Sequence, residues 1–224
     1  MKETSCVHIV DDDNSFRRAV GRLLSAEGFS VREYTSAGEF LISSPESHSG
    51  CVLLDIQMPG PSGLELQNAL RQRDVPLPVI FLSGHGDIAT SVRAMKAGAT
   101  DFLTKPVKRA ELLSAVRAAI DLGSKGQEHR AQCQTWHDHY ARLTPREQQV
   151  FELVVLGRLN KQIASALGTS QRTVKAHRSQ VMRKMEVQSV AELVHIAENL
   201  SRGDQAKPGP IDLPPSVRTS NRVG

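Results

Sequence analysis

Five short apolar runs alternate with helical stripes through the first half of this chain, and that alternation limits what it can fold into. Val7–Val10, Phe29–Tyr34, Val52–Leu54, Pro78–Leu82 and Asp101–Thr104 have strand length and strand composition. Between them the apolar residues fall at helical spacing. Phe16, Val20, Leu23 and Leu24 share one face, with Gly28 as the stop; Ser36 can cap a short helix through Phe40 and Leu41. Leu64, Leu66 and Leu70 mark another helix, Ile88, Val92 and Met95 give a stripe closed by Gly98, and Leu112, Leu113, Val116 and Ile120 define the last. Strand then helix, five times over, requires a parallel sheet with helices on both faces. Right-handed crossovers leave few strand orders, and the flavodoxin-like α/β order is the expected one.

A parallel sheet gathers the carboxyl ends of its strands on one edge, where open α/β sheets bind ligands. The first strand brings Asp11 and Asp12 there, the third Asp55, the fourth Ser83 and the fifth Lys105. Asp55 is followed by Met58-Pro59-Gly60-Pro61-Ser62-Gly63, which cannot continue a strand, so its carboxylate is held by the strand yet free of the packing. Three carboxylates in one cleft repel unless a cation joins them, and few hard oxygen ligands suit Mg²⁺. Lys105 can neutralise a phosphoryl oxygen and the Ser83 hydroxyl can hydrogen-bond one. The set reads as a carboxylate nucleophile, a metal and a cationic clamp, with an aspartyl phosphate as product.

These stretches, VDDD, LLDIQMPGPSG, SGHGD and MKAGATDFLTKP in that order, resemble a two-component receiver domain of the FixJ type over about residues 5–122. The resemblance implies that Asp55 is the phosphoacceptor, that Asp12 binds Mg²⁺ directly and Asp11 directly or through water, and that Gln57 offers a backbone carbonyl. It implies Ser83 as the switch hydroxyl, Phe102 as the switch aromatic, and Lys105 as the lysine before a cis proline at Pro106. The family more often has Thr where Ser83 stands; Ser keeps the hydroxyl and loses a methyl, which would alter the tuning. A haloacid-dehalogenase-type phosphatase also uses an Asp nucleophile but needs a second Asp two residues on, and position 57 is Gln.

Gly123 to Gln127 breaks the pattern, and residues 123–142 are expected to form a linker that is in part helical. It holds Trp136, His137 and His139, which together with Cys133 match no common metal spacing and lack a fourth ligand. The cysteines Cys6, Cys51 and Cys133 are odd in number and unpaired in spacing, so free thiols are expected. Residues 143–200 read as all helical. Thr144, Pro145 and Glu147 form a capping box with Pro at the first helical position, and Val150, Leu153, Val154 and Leu156 form the stripe that follows. Asn160 is placed to cap Lys161–Leu167, Gly168 turns the chain, and Ser170 caps a helix from Gln171 to about Met185. Short helix, tight turn and longer helix make a helix-turn-helix.

In that last helix Val174, Val181 and Met185 share a buried face, while Arg172, Lys175, Ser179 and Arg183 lie opposite. From Gly157 to Lys184 there are seven Lys or Arg and no Asp or Glu, a basic face suited to a DNA major groove. Lys161, Ser170, Thr173 and Arg178 complete the candidate DNA-contact set. The charge division agrees: residues 1–123 carry −2 and residues 124–200 carry +4. LTPREQQV, NKQIASALGTSQRTVKAHRSQVMRKM and AELV resemble the LuxR/NarL-type DNA-binding domain, which implies four helices, the third a reader and the fourth, near Ser189 to Leu200, a dimerisation helix. His177 falls at a structural position of that family.

The two halves together are identified as a FixJ-type response regulator: a receiver over residues 1–122, a linker, a DNA-binding domain over 143–200, and a Pro-rich tail over 201–224 that is expected to be disordered. The resemblance implies a phosphorylation-gated transcription factor, an activator rather than an enzyme. Its partners would be a histidine kinase, promoter DNA, RNA polymerase and a second copy of itself. With no run of eighteen apolar residues and no secretory h-region, a cytoplasmic protein without membrane contact is expected. The alternative is a receiver acting only as a phosphate sink or protein-binding module beside a domain that contacts DNA nonspecifically.

Overall fold

Strands β1 (Cys6–Val10), β3 (Gly50–Asp55) and β4 (Val79–Ser83) are buried at every residue, which explains why they read as unbroken apolar runs rather than alternating ones. β2 (Ser30–Tyr34) and β5 (Asp101–Thr104) are partly exposed and close the two edges. In the computed structural model, which describes residues 5–43, 50–72, 77–84 and 88–204, the strands form one parallel sheet in the order β2-β1-β3-β4-β5. The chain divides into two units between His129 and Arg130.

Alternation along β3 splits the first unit's core in two. Val52 and Leu54 face one cluster, with α2 (Ala37–Ser43) contributing Phe40 and α3 (Gly63–Gln72) contributing Leu66 and Leu70. Cys51 and Leu53 face the other, with Val20 and Leu24 of α1 (Asn14–Ala26) and Leu112 and Val116 of α5 (Arg109–Ala141). Each fully buried leucine contributes about 2 kcal/mol of apolar burial. Val7 is opposite Cys51 and Cys6 opposite Gly50, so the two thiols point to opposite faces and both are free.

The helix α4 forms where the spacing placed it but leaves its stripe uncovered, and Gly123 is not the break it was expected to be. In α4 (Ile88–Lys96) the stripe Ile88, Val92 and Met95 is 78%, 44% and 47% exposed, and Ala94 is the buried residue. Helical spacing identifies a face; it does not say what covers that face. Gly123 does not stop α5, which continues to Ala141 through most of the expected linker. A Cβ at Gly123 would lie 3.2 Å from the Gly50 carbonyl oxygen and from Pro78, so this glycine serves close packing inside a helix.

The second unit contains α6 (Pro145–Val155), α7 (Asn160–Ala166), α8 (Gln171–Lys184) and α9 (Val190–Asp204). Val150, Phe151, Val154, Ile163, Val174, Val181, Met185, Leu193 and Ile196 make its core, and Trp136 and Tyr140 from the end of α5 pack against it. The capping box forms as expected, and Ser170 caps α8. Leu156 leaves the predicted stripe: it is the C-cap of α6 and 67% exposed, while Phe151 takes the core place. Asn160 does not cap α7. Gln162 reaches back to the Leu159 N–H, and the Asn160 side chain accepts from Arg178 instead. Residues 205–224, with most of the Pro-rich tail, and residues 85–87 lie outside the described residues. Among the described residues no helix is long and apolar enough to cross a membrane.

His8 on β1 carries a testable consequence of burial. It is 1% exposed, its Nδ1 lies 3.2 Å from the Tyr34 hydroxyl, and its ring meets Phe40 edge-on. Burial, with Arg32 adding to it, lowers its pKa to about 4. A histidine that folding holds neutral contributes stability that is complete above the unfolded pKa of 6.5 and is lost as pH falls toward 4. Urea unfolding followed by far-UV circular dichroism should therefore show about 3 kcal/mol of pH-dependent loss from this group. His8→Phe should flatten that part of the profile; an unchanged slope between pH 6.5 and 4 would contradict the assignment.

Candidate functional site

The chain leaves β1 for β2 on one side and returns through α2 to β3 on the other, so a crevice opens at the carboxyl ends of β1 and β3. Asp11 follows β1 directly and Asp55 ends β3. One carboxylate oxygen from each of Asp11, Asp12 and Asp55 lies within 4.8 Å of the others; Asp11 and Asp55 are buried and Asp12 is exposed. The Lys105 ammonium, at the end of β5, donates to Asp11 Oδ2 at 2.7 Å and to Asp55 Oδ2 at 3.1 Å. It also lies 4.4 Å from the centre of the Phe16 ring, and the Lys105–Pro106 bond is cis.

Burial pushes the Asp11 carboxyl above its usual value, more than its bonds to Lys105 draw it down. For Lys105 the balance reverses: burial alone would lower it, but Asp11 and Asp55 together hold the ammonium above its usual value. Two buried carboxylates already bridged by one cation, with a third carboxylate open to solvent beside them, form a hard oxygen donor set that fits a divalent cation such as Mg²⁺.

The neighbouring elements fix Asp55. A Cβ at Gly63 would fall 2.3 Å from the Asp55 carbonyl oxygen, so only glycine lets α3 begin this close to the β3 end. The Gln57 N–H donates to Asp55 Oδ1 at 3.3 Å, and the Gln57 side chain is exposed. Ser83 is buried at the end of β4, one strand away from Asp55, and Phe102 is partly buried against the Phe40–Leu66 core. A groove of about 600 Å³ has Ile56 and Gln57, which follow Asp55, in its walls together with Met58, Ser83, Thr90 and Arg93.

Two participants were not singled out in the sequence. Asp13 N-caps α1, accepting from the Ser15 and Phe16 N–H groups, and its own N–H donates to Asp11 Oδ1 at 2.9 Å. The N-cap preference for Asp just before an apolar helical stripe was the available signal. Arg17 donates to the Asp11 backbone carbonyl at 2.6 Å; a tie to backbone leaves no pattern in sequence.

On the second unit, Arg172, Lys175, Ser179 and Arg183 of α8 and Lys161 of α7 are exposed, on the side away from the buried Val174 and Val181. The other candidates are engaged within the fold. The Ser170 hydroxyl accepts from the Thr173 N–H and meets the Thr173 hydroxyl at 2.9 Å. Arg178 donates to Asn160 across the α7–α8 seam at 2.7 Å. Lys184, one of the seven cations of this region, pairs with buried Glu147 at 2.6 Å and holds that carboxyl below its usual value. The basic count thus mixes outward charges with internal ties.

Residues 7–117 match the family model of the response regulator receiver domain, and residues 141–197 that of the bacterial regulatory proteins of the luxR family. Over 196 residues, 88% of this chain and 86% of the relative, the sequence is 44% identical to the response regulator protein TodT of Pseudomonas putida. It is 41% identical over 211 residues to the transcriptional regulatory protein FixJ of Azorhizobium caulinodans, covering 93% of this chain and 100% of the relative. A solved structure of the response regulator StyR superposes with a TM-score of 0.74 at 41% identity, covering 88% of this chain and 99% of that one.

Proposed function

This chain belongs to the response regulators that join a receiver domain to a LuxR-type DNA-binding domain, and from that premise we propose that Asp55 accepts a phosphoryl group from a sensor histidine kinase and that the phosphorylated homodimer binds promoter DNA. The observation that supports this best is Asp55 at the β3 end, beside Asp11 and Asp12, with its Oδ2 3.1 Å from Lys105 Nζ. In this reading residues 1–122 receive the phosphoryl group and residues 143–200 read DNA.

An Asp55 carboxylate oxygen attacks the phosphorus of a phosphohistidine. The new O–P bond forms as the P–N bond breaks, and the imidazole leaves with the electron pair and takes up a proton. Asp11, Asp12, Asp55 and the Gln57 carbonyl would hold Mg²⁺, which when bound supplies charge neutralisation for the phosphoryl oxygens. The Lys105 ammonium moves its hydrogen bond from the Asp55 carboxylate to a phosphoryl oxygen. The Ser83 hydroxyl donates to another, and Phe102 follows it inward. The exposed apolar face of α4, with Val92 and Lys96, then pairs with a second copy and sets two α8 helices about one DNA turn apart. Contact of the bound dimer with RNA polymerase would make the protein an activator.

The test is a footprint with and without a phosphodonor, read together with salt dependence. Phosphorylation should produce protection over two defined half-sites. Arg172→Ala or Lys175→Ala should each reduce the salt slope by about one if the side chain meets phosphate, or cost about 1–3 kcal/mol at one base position if it meets a base edge. Binding identical to the parent at every salt concentration in both variants would place the reading helix elsewhere. Protection without half-sites would favour the phosphate-sink alternative.

A further inference from the structure

Arg17 projects from α1 with its side chain only 8% exposed, and it meets the carboxylate cluster through the backbone of Asp11 rather than through a carboxylate. A buried charge is costly unless it is paired and hydrogen-bonded, so its bonds indicate what it is there to hold. Nη1 donates to the backbone carbonyl of Asp11 at 2.6 Å, and Nη2 donates to Asn14 Oδ1 at 3.0 Å. Nε lies 3.6 Å from Glu33 Oε2, near enough for charge compensation and too far for a good hydrogen bond. Glu33 stands on β2, and a Cβ at Gly21 would lie 2.4 Å from its Oε1. Gly21 is therefore the gap through which Glu33 reaches Arg17.

We propose that Arg17 is a positioning residue for the divalent-cation site: it clamps the peptide of Asp11, so that the Asp11 and Asp12 carboxylates keep ligand geometry, while Glu33, admitted by Gly21, cancels the guanidinium charge beside the incoming cation. Asp11 is then held at three points: its carbonyl by Arg17, Oδ1 by the Asp13 N–H and Oδ2 by Lys105. Mg²⁺ demands near-octahedral geometry, so a loosened turn loses the ion before it loses the fold. An uncompensated guanidinium would oppose the ion by direct repulsion. The inference rests on the Mg²⁺ reading of the carboxylate cluster.

Calorimetric titration of the full chain with Mg²⁺, beside thermal melts without Mg²⁺, tests it. Arg17→Met should weaken Mg²⁺ binding about tenfold, the usual scale for residues that orient ligands. Arg17→Lys keeps one donor for the Asp11 carbonyl and should recover most of that loss. Gly21→Ala replaces none of the named side chains yet displaces the Glu33 carboxylate, and should weaken Mg²⁺ severalfold. Should Arg17→Met fail to fold, the Gly21→Ala titration decides alone. Melting temperatures that fall while Mg²⁺ affinity stays at the parent value would make Arg17 a brace of the fold only and overturn the proposal. A parent chain that takes up no Mg²⁺ would overturn the metal reading along with it.

Discussion

Asp55→Asn should accept no phosphoryl group, from a kinase or from acetyl phosphate in Mg²⁺, and the loss should be complete rather than partial. The substitution exchanges one oxygen for an amide nitrogen at a buried strand end, so the β3 backbone and its pairing with β1 and β4 stay as they are. What disappears is the nucleophile, because an amide oxygen does not displace a phosphoryl leaving group at neutral pH. One of the three clustered carboxylates disappears as well, which compounds the effect. Asp11 and Asp12 remain within reach of a donor, but Asp11 is committed to Lys105 at 2.7 Å and to the Asp13 N–H. A hydroxylamine-sensitive phosphate on the Asp55→Asn chain would remove Asp55 from the centre of the reading.

If the proposed coupling holds, Val92→Asp should separate phosphorylation from dimerisation. Val92 is 44% exposed, between Ile88 and Met95 on the same face of α4, so a charge there disturbs no core. Asp55 should be phosphorylated at the parent rate. The dimer fraction in sedimentation should stay at the unphosphorylated level, since a carboxylate in an apolar pairing face is desolvated without a partner. DNA affinity should lose the gain that comes from two linked reading helices, about a hundredfold or more. Phosphorylated parent chains that remain monomeric while their DNA affinity rises would show that release of the helical domain carries the signal instead.

The sequence made the sheet legible because four of the five strand ends carry a residue that an apolar strand interior excludes: Asp11, Asp55, Ser83, Lys105. Handedness left few strand orders, of which the commonest is the one observed, and the capping box at Thr144 followed from local chemistry. What escaped depended on contacts between distant segments. Gly123 reads as a breaker until Gly50 and Pro78 are seen against it. Asn160 reads as a cap until Arg178 is seen to take its side chain. Of the seven cations between Gly157 and Lys184, composition could not separate Arg178 and Lys184, which tie helices together, from those that point outward. Arg17 escaped for a different reason: its acceptor, only six residues away, is a peptide carbonyl.

The exposed stripe of α4 also governs how readily this part of the receiver opens. A helix whose one fully covered side chain is Ala94 gains little from apolar burial, since a methyl group contributes far less than the leucines of α3 or α5. Its intrahelical bonds face water along most of one side. Its local opening free energy should therefore lie near the bottom of the range for this unit, well below that of the sheet it flanks. A modest change at the end of β4 can then move α4 without straining β3 or β4, so the edge that carries the Asp11, Asp12 and Asp55 carboxylates stays rigid while the surface beside it yields.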